Sequence, residues 1–214
     1  MNQPIAAAVT DANTCLRWLT REAPDLKEAR EAASRTIRDV TRAAEIVARV
    51  RQIFKKETPQ LELVDVNEII REMVVLLRGE IIRYSIAVRT DLSANLPDAM
   101  GDRLQLQQVL MNLIANSVDA MRDIEGTRQL TICSQQTQDG QVLVSVSDTG
   151  VGLPRQAEQI FNAFFTTKPQ GTGMGLRISR SIVESHGGRL WAAINSSRGA
   201  TFHLTLPATA HGHE

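Results

Sequence analysis

Four segments in the second half of the chain combine residue types that can do chemistry. Gln108, Asn112, Asn116 and Ala120 step by four and so share one helix face, with Asp119 beside it. A carboxamide oxygen on that face can ligate a hard cation such as Mg²⁺, which takes few protein ligands and keeps its waters; the plainer reading is a solvated helix surface. Asp148-Thr-Gly-Val-Gly152 follows Val142, Val144 and Val146 in phase, which puts Asp148 on the buried face of a strand. An acid buried there without a partner is costly. A purine amino group would supply the donor, and Gly150 and Gly152 would let a ligand approach the backbone; the plainer reading is a turn cap. Gly171-Thr-Gly-Met-Gly-Leu176 runs straight into a helix, and free N–H groups with the positive end of the dipole suit phosphate. It lacks the Lys-Ser/Thr of a P-loop and does not follow a strand, so neither the Walker nor the dinucleotide pattern fits. Between these turns, Phe161-Asn-Ala-Phe-Phe-Thr-Thr-Lys168 lies in a connection, 153–170, long enough to be a lid. Thr167 and Lys168 could reach phosphate oxygens, and the Phe residues could pin the lid; a simple aromatic anchor is the plainer reading.

The elements that must position these segments follow from periodicity. Asp65 opens a helix with an apolar face of Ile69, Ile70, Met73, Val74, Leu77 and Ile81. Ser85–Leu92 alternates like a strand. Asp102 starts the Asn-bearing helix, whose apolar stripe is Leu106, Val109, Leu110, Leu113, Ile114 and Met121. Arg128–Gln136 and Gln141–Asp148 form a hairpin across Asp139-Gly140. A helix spans about Gly175–His186 and stops at Gly187-Gly188. Arg189–Asn195 pairs with Ala200–Leu206. Upstream, Ile5, Val9, Ala12, Leu16 and Leu19 alternate steps of four and three, as do Ala33, Ile37, Val40, Ala44 and Val47, continued by Val50 and Phe54. Two heptad helices with a short connection at Thr20–Asp25 make an antiparallel hairpin. A second copy would complete it as a four-helix bundle; packing on the rest of the same chain is the alternative. The predicted class is α+β: a helical hairpin over 1–57, then an α/β sandwich over 60–207 with one helical layer on a mixed sheet, then a tail over 208–214.

Composition bounds the function. The 214 residues hold 24 basic and 24 acidic side chains, so net charge is zero, which argues against a phosphate-driven nucleic-acid binder and a polybasic membrane anchor. Apolar residues at 43% support a full core, and aromatics at 4% make it aliphatic. Cys15 and Cys133 make no disulfide framework and fit a cytosolic protein. No apolar run approaches a membrane span, and no signal peptide is expected.

The Asn-rich helix, the Asp-x-Gly-x-Gly turn, the aromatic lid, the Gly-Thr-Gly-Met-Gly turn and Gly199-Ala-Thr-Phe202 come in an order that resembles one family. Over residues ~60–207 the chain is similar to the ATP-binding catalytic domain of sensor histidine kinases, in the group shared with gyrase B, Hsp90 and MutL. The hairpin then resembles the dimerisation and phosphotransfer domain. Its Asn2-Gln3-Pro4-Ile5 is similar to the Asn-Gln-Pro-Leu of a subfamily helix reading His-Glu-x-Asn-Gln-Pro-Leu.

The resemblance implies ATP and Mg²⁺, with Asn116 as metal ligand and Asn112 its neighbour one turn back. Asp148 would read the adenine amino group, Gly150 and Gly152 would line the base pocket, and Thr201 would close the base side. Lys168, Gly171, Gly173 and Gly175 would surround the triphosphate, with Asp119, Thr167, Thr172, Met174 and Leu176 completing the binding set. Ala163 stands where the family lid has Pro. The hydrolysing relatives place a Glu one turn before the Mg²⁺ ligand; Asn112 cannot act as a general base, which favours phosphoryl transfer, with Lys168 and the two Asn as the catalytic set. The acceptor His would fall two residues upstream of Met1, and the four histidines, His186, His203, His211 and His213, lie elsewhere. The expectation is a piece of a longer kinase that binds ATP without phosphorylating itself. Gln3 falls near a position tied to phosphatase activity. Implied partners are a second copy through the hairpin, a response-regulator receiver domain and an upstream sensor region, with no nucleic acid and no membrane contact by this cytoplasmic segment, although the full protein could be membrane-anchored. A catalytically silent nucleotide-binding module and a gyrase/Hsp90-type ATPase stay open as alternatives.

Overall fold

The computed structural model describes residues 2–21, 24–33, 36, 60–154, 156–167 and 172–209. The chain divides into two compact units, Met1–Glu57 and Thr58–Glu214. In the first, helix α1 spans Asn2–Leu19. Its heptad positions Val9, Leu16 and Leu19 are 56%, 59% and 42% exposed in the single chain, while Ala29 and Ala32 of the next helix are buried. That second helix, α2, is described over residues 26–33. It starts where the sequence places it because Asp25 Oδ1 accepts the N–H groups of Lys27 and Glu28, both at 3.1 Å. The expected seam positions Ile37, Val40, Ala44, Val47, Val50 and Phe54 lie outside the described residues.

The second unit opens with β1 (Glu62–Val64), α3 (Val66–Leu76) and α4 (Arg78–Arg83). The helix predicted as continuous through Ile81 is therefore interrupted at Leu77, which ends α3 and precedes α4. Asp65 caps α3 as its sequence position requires, accepting from Asn67 N at 2.8 Å and Glu68 N at 3.1 Å. Then come β2 (Ala87–Leu92), β3 (Ala99–Gly101) and α5 (Arg103–Ala120). They are followed by β4 (Gln129–Gln136), β5 (Val142–Asp148), a 3₁₀ turn at Ala157–Phe161, α6 (Gly175–Ser185), β6 (Arg189–Ile194) and β7 (Ala200–Leu206).

Five strands form a mixed sheet in the order β2-β4-β5-β7-β6, with β2 and β4 parallel and the other pairs antiparallel. The unforeseen β1 and β3 pair separately, Leu63 opposite Met100. α5 packs against α3, α6 and β5, and α6 against β6, so the helices form one layer. The core is aliphatic, as composition requires: Leu110, Leu113, Ile114, Leu130, Ile132 and Leu204 are almost fully buried, each contributing roughly 2 kcal/mol by area. Arg103 ties the start of α5 to α3 through Glu68 at 2.9 Å and Glu72 at 2.7 Å. β5 and β7 alternate strictly between buried and half-buried residues. Val142, Val144, Val146 and Asp148 therefore face the core, while Ser145 and Ser147 face the other side with Thr201 and His203.

Candidate functional site

Asp148 ends β5 on the core-facing side and is 2% exposed. Its Oδ1 accepts the Gly150 N–H at 2.8 Å and the Ala200 N–H at 3.4 Å. Burial pushes the carboxyl above its ordinary value, and those two N–H groups and the nearby Ser117 hydroxyl pull back only in part. Ser117 Oγ, buried on α5, makes no hydrogen bond of ordinary geometry, so its influence on Asp148 is weak. Gly150 is forced by packing: a Cβ there would lie 2.6 Å from the Ala120 carbonyl oxygen. The Val151 N–H donates to that same oxygen at 3.1 Å, so the turn after β5 is docked on the last turn of α5. Gly152 lies against Gly199, whose carbonyl oxygen a Cβ at 152 would meet at 3.3 Å.

Behind Asp148, the β6–β7 turn closes on its peptide. Gly199 has φ +89, and a Cβ there would lie 1.9 Å from the Asp148 carbonyl oxygen. That carbonyl accepts from Asn195 Nδ2 at 2.9 Å. Thr201 Oγ1 lies 2.6 Å from Asn195 Oδ1 and 2.8 Å from Ser147 Oγ. The Thr201 side chain thus points to the sheet face opposite the Asp148 carboxylate. The neighbouring position, Ala200, shares the buried face and supplies the N–H. On the same far face His203 meets Ser145 Oγ at 2.8 Å and stacks on Trp191, and burial lowers its pKa.

The other end of the site lies where α5 meets α6. Asn112 Nδ2 donates to Ser179 Oγ at 3.0 Å, and Ser179 is 1% exposed. A Cβ at Gly175, the first residue of α6, would lie 2.5 Å from Asn112 Oδ1. Asn112 is therefore a tie between helices, with its oxygen beside the start of α6. Asn116 and Asp119 follow on α5, half-buried and exposed. Ala120 lies eight positions after Asn112, so the two ends are roughly 12 Å apart along α5.

The expected lid is anchored unevenly. Phe161 is buried beneath the Arg180 guanidinium, 4.1 Å from its ring centre, and Phe165 packs partly on the core. Phe164 does not pin the lid: it is 76% exposed with φ +66. Its N–H donates to the Gly173 carbonyl at 3.0 Å, and Gly173 itself has φ +63. Thr167 is exposed, and Thr172, Met174 and Leu176 are half-buried around the start of α6. Lys168 and Gly171 lie outside the described residues. Among the described residues no cluster of three or more His, Cys, Asp or Glu is placed to hold a metal. A carboxamide-ligated cation with retained waters needs no such cluster.

Residues 101–210, which contain both ends of this site, match the family model for histidine kinase-, DNA gyrase B- and HSP90-like ATPases. The chain belongs to this family. Within it, the chain is 38% identical over 212 residues to the sensor histidine kinase TmoS of Ectopseudomonas mendocina, which spans 98% of this chain and 22% of TmoS. The crystallised catalytic domain of histidine kinase ThkA is 34% identical with a TM-score of 0.63, covering 70% of this chain and 97% of that one. Histidine kinase ThkA in complex with the response regulator protein TrrA gives 26% identity and a TM-score of 0.76, covering 97% of this chain and 58% of that one. The chain spans 22–41% of the length of the first curated relatives it matches. It contains the ATP-binding catalytic domain of a sensor histidine kinase.

Within this histidine kinase domain, sequence reasoning missed two side chains that hold the site: Ser179 and Asn195 carry no local motif, and they bond Asn112 and Asp148 across long stretches of chain. His186 was readable as a helix cap, and it is one: its Nδ1 donates to Ile182 O at 2.7 Å and its Nε2 accepts from Asp102 N at 2.9 Å.

Proposed function

We propose that residues 60–207 bind ATP with Mg²⁺ and transfer its γ-phosphoryl group to a histidine on a separate helical segment, none of this chain's own four histidines being the acceptor, for relay to a receiver-domain Asp. The observation that carries this reading is Asp148: a buried carboxylate whose Oδ1 is already held by two backbone donors. Its Oδ2 is the oxygen we assign to the adenine amino group, with Gly150 and Gly152 beside the base and the Ala200 backbone, rather than the Thr201 hydroxyl, closing that side. Asn116 is assigned to Mg²⁺, with Asp119 near it; when bound, the cation would neutralise charge on the phosphate oxygens. Lys168, Gly171, Thr172, Gly173, Met174, Gly175 and Leu176, with Thr167, are assigned to the triphosphate, where the start of α6 favours an anion. In the transfer, an imidazole nitrogen lone pair forms the P–N bond as the bond from phosphorus to the ADP oxygen breaks.

Asn112 bears on hydrolysis as an alternative. Its carboxamide is engaged with Ser179 and cannot take a proton from water at neutral pH. His186 is fully bonded inside the fold, and His203 sits on the sheet, so neither is placed as an acceptor. The exposed seam of α1 supports residues 1–57 as half of a dimeric four-helix bundle, with 208–214 as a tail. The ThkA–TrrA complex supports a receiver domain as partner, and an upstream sensor region fits relatives that are much longer than this chain. Among the described residues no helix is long and apolar enough to cross a membrane.

The test uses labelled ATP and Mg²⁺. The chain alone should stay unlabelled, and adding a separate helical domain that carries the His-Glu segment should give acid-labile label on that domain. Nucleotide binding without transfer would leave a silent binding module, and steady phosphate release by the chain alone would favour the ATPase reading.

A further inference from the structure

We propose that Asn195 is the positioning residue for Asp148 and that it sharpens the preference for adenine over guanine nucleotides; this rests on the ATP reading above. Asn195 follows β6 at the entrance to the β6–β7 turn, on the sheet face away from the proposed ligand. Its N–H and both ends of its carboxamide are engaged with that turn or with the end of β5. Its N–H donates to the Gly199 carbonyl at 3.1 Å. Its Nδ2 donates to the Asp148 carbonyl at 2.9 Å, with Ser147 Oγ and the Arg198 carbonyl at 3.2 and 3.3 Å. Its Oδ1 accepts from Thr201 Oγ1 at 2.6 Å. A carboxamide donates to the carbonyl with its nitrogen and accepts from the hydroxyl with its oxygen, whereas an ionised carboxylate of the same shape can only accept.

These bonds draw the turn across Asp148. The turn then carries Gly199 into contact with the Asp148 carbonyl and brings the Ala200 N–H to Oδ1. Asn195 therefore fixes the Asp148 peptide from behind, while Gly150 and Ala200 fix its carboxylate in front. A carboxylate held by one oxygen presents the other in a set direction. Adenine offers an N–H donor at its 6-position, whereas guanine offers a carbonyl oxygen that an ionised carboxylate repels. Loosening the peptide would let the carboxylate turn, and discrimination would fall before binding itself is lost.

The test measures dissociation constants of ADP and GDP, with thermal melting, for the wild-type chain and for Asn195→Asp, Thr201→Val and Thr201→Ser. Asn195→Asp is nearly isosteric but sets an oxygen against the Asp148 carbonyl. It should weaken ADP binding about tenfold and GDP binding less, so the ADP/GDP preference falls. Thr201→Val should act in the same direction more weakly, and Thr201→Ser, which keeps the hydroxyl, should match wild type. An unchanged ADP/GDP ratio in both Asn195→Asp and Thr201→Val overturns the inference, as does equal weakening of both nucleotides in step with lost melting temperature. Wild-type chain that binds ADP no better than GDP overturns the ATP reading itself, and the inference with it. If Asn195→Asp does not fold, the Thr201 pair decides.

Discussion

Asp148 and Phe164 stand at opposite ends of the same site and are held by opposite means. Around Asp148 the chain is fixed from both faces of the sheet: Gly150 and Ala200 bond its carboxylate, Asn195 bonds its carbonyl, and Gly199 presses on its peptide. Phe164 is exposed, carries a left-handed backbone without being glycine, and is held to the turn before α6 by one hydrogen bond to Gly173. A base is a rigid plate recognised by edge contacts, so a preformed rigid edge suits it. A triphosphate enters, changes bonding and leaves, so the segment around it must yield. The base end is therefore held by packing and hydrogen bonds on both faces of the sheet, and the phosphate end by an exposed loop with a left-handed Phe164.

The largest effect should come from Gly199→Ala. Its Cβ would sit inside the Asp148 carbonyl, and the left-handed φ adds its own penalty. With sheet and turn both unable to give, we expect a loss of about 3 kcal/mol or more, read as a lower urea midpoint, with nucleotide binding lost in parallel. Wild-type stability in this variant would show that the turn is softer than its contacts imply.

Asp148→Asn should separate recognition from stability. Because burial raises the Asp148 pKa in the folded chain, its favourable contribution is fully present below the carboxylate's unfolded range. It is lost as pH rises through the folded value, so at pH 7 the ionised side chain is a cost. Asparagine keeps the Oδ1 acceptor for Gly150 and Ala200. The variant should therefore melt at or above the wild-type temperature at pH 7, with the gap narrowing as pH is lowered. ATP affinity should fall on the order of 100-fold, because an amide N–H₂ then faces the adenine amino group. A variant that melts lower at pH 7 would mean that the charge is stabilised by a partner in the free chain.

Gly173→Ala makes the same kind of change at the yielding end. Its Cβ would lie 2.4 Å from the Phe164 backbone, and φ is again positive. Here the neighbour is an exposed loop that can move aside. Stability should change by less than about 1 kcal/mol while ATP affinity drops about tenfold, the reverse of the Gly199→Ala pattern. Equal destabilisation by the two substitutions would erase the contrast between the ends.

How much of this was legible in the sequence divides along the same line. Asp148 and its glycines could be read because period-two alternation fixes which residues of β5 face inward, and the turn follows directly. The same alternation, counted back from Leu206, Leu204 and Phe202, puts Ala200 inside and Thr201 outside, whereas the motif match that implied Thr201 on the base side carries no information about which face a side chain takes. Asn195 and Ser179 were not legible. The first acts across 47 residues on Asp148 and the second across 67 on Asn112, distances at which no local pattern carries information. β1 and β3 were missed because three residues are too few to show alternation. The main helices and the β4–β5 and β6–β7 hairpins follow from periodicity and punctuation, whereas the β2–β4 and β5–β7 pairings join distant segments that no local pattern links.

The smallest expected effect tests whether the phosphate end has any rigid support. Asn112 reaches from α5 to α6 through Ser179, and its oxygen lies beside the first residue of α6. Ser179→Ala removes the hydroxyl without adding volume, leaving one carboxamide N–H with a lost partner at a half-buried site. The cost should be about 1 kcal/mol, with ATP affinity within roughly threefold of wild type. The sharper readout is hydrogen exchange. Amides at 172–178 should exchange faster while those of β5 keep their protection, because the tie holds the start of α6 and nothing at the base end. If β5 loosens as well, α5 transmits the change along its length, and the two ends of the site are one rigid unit.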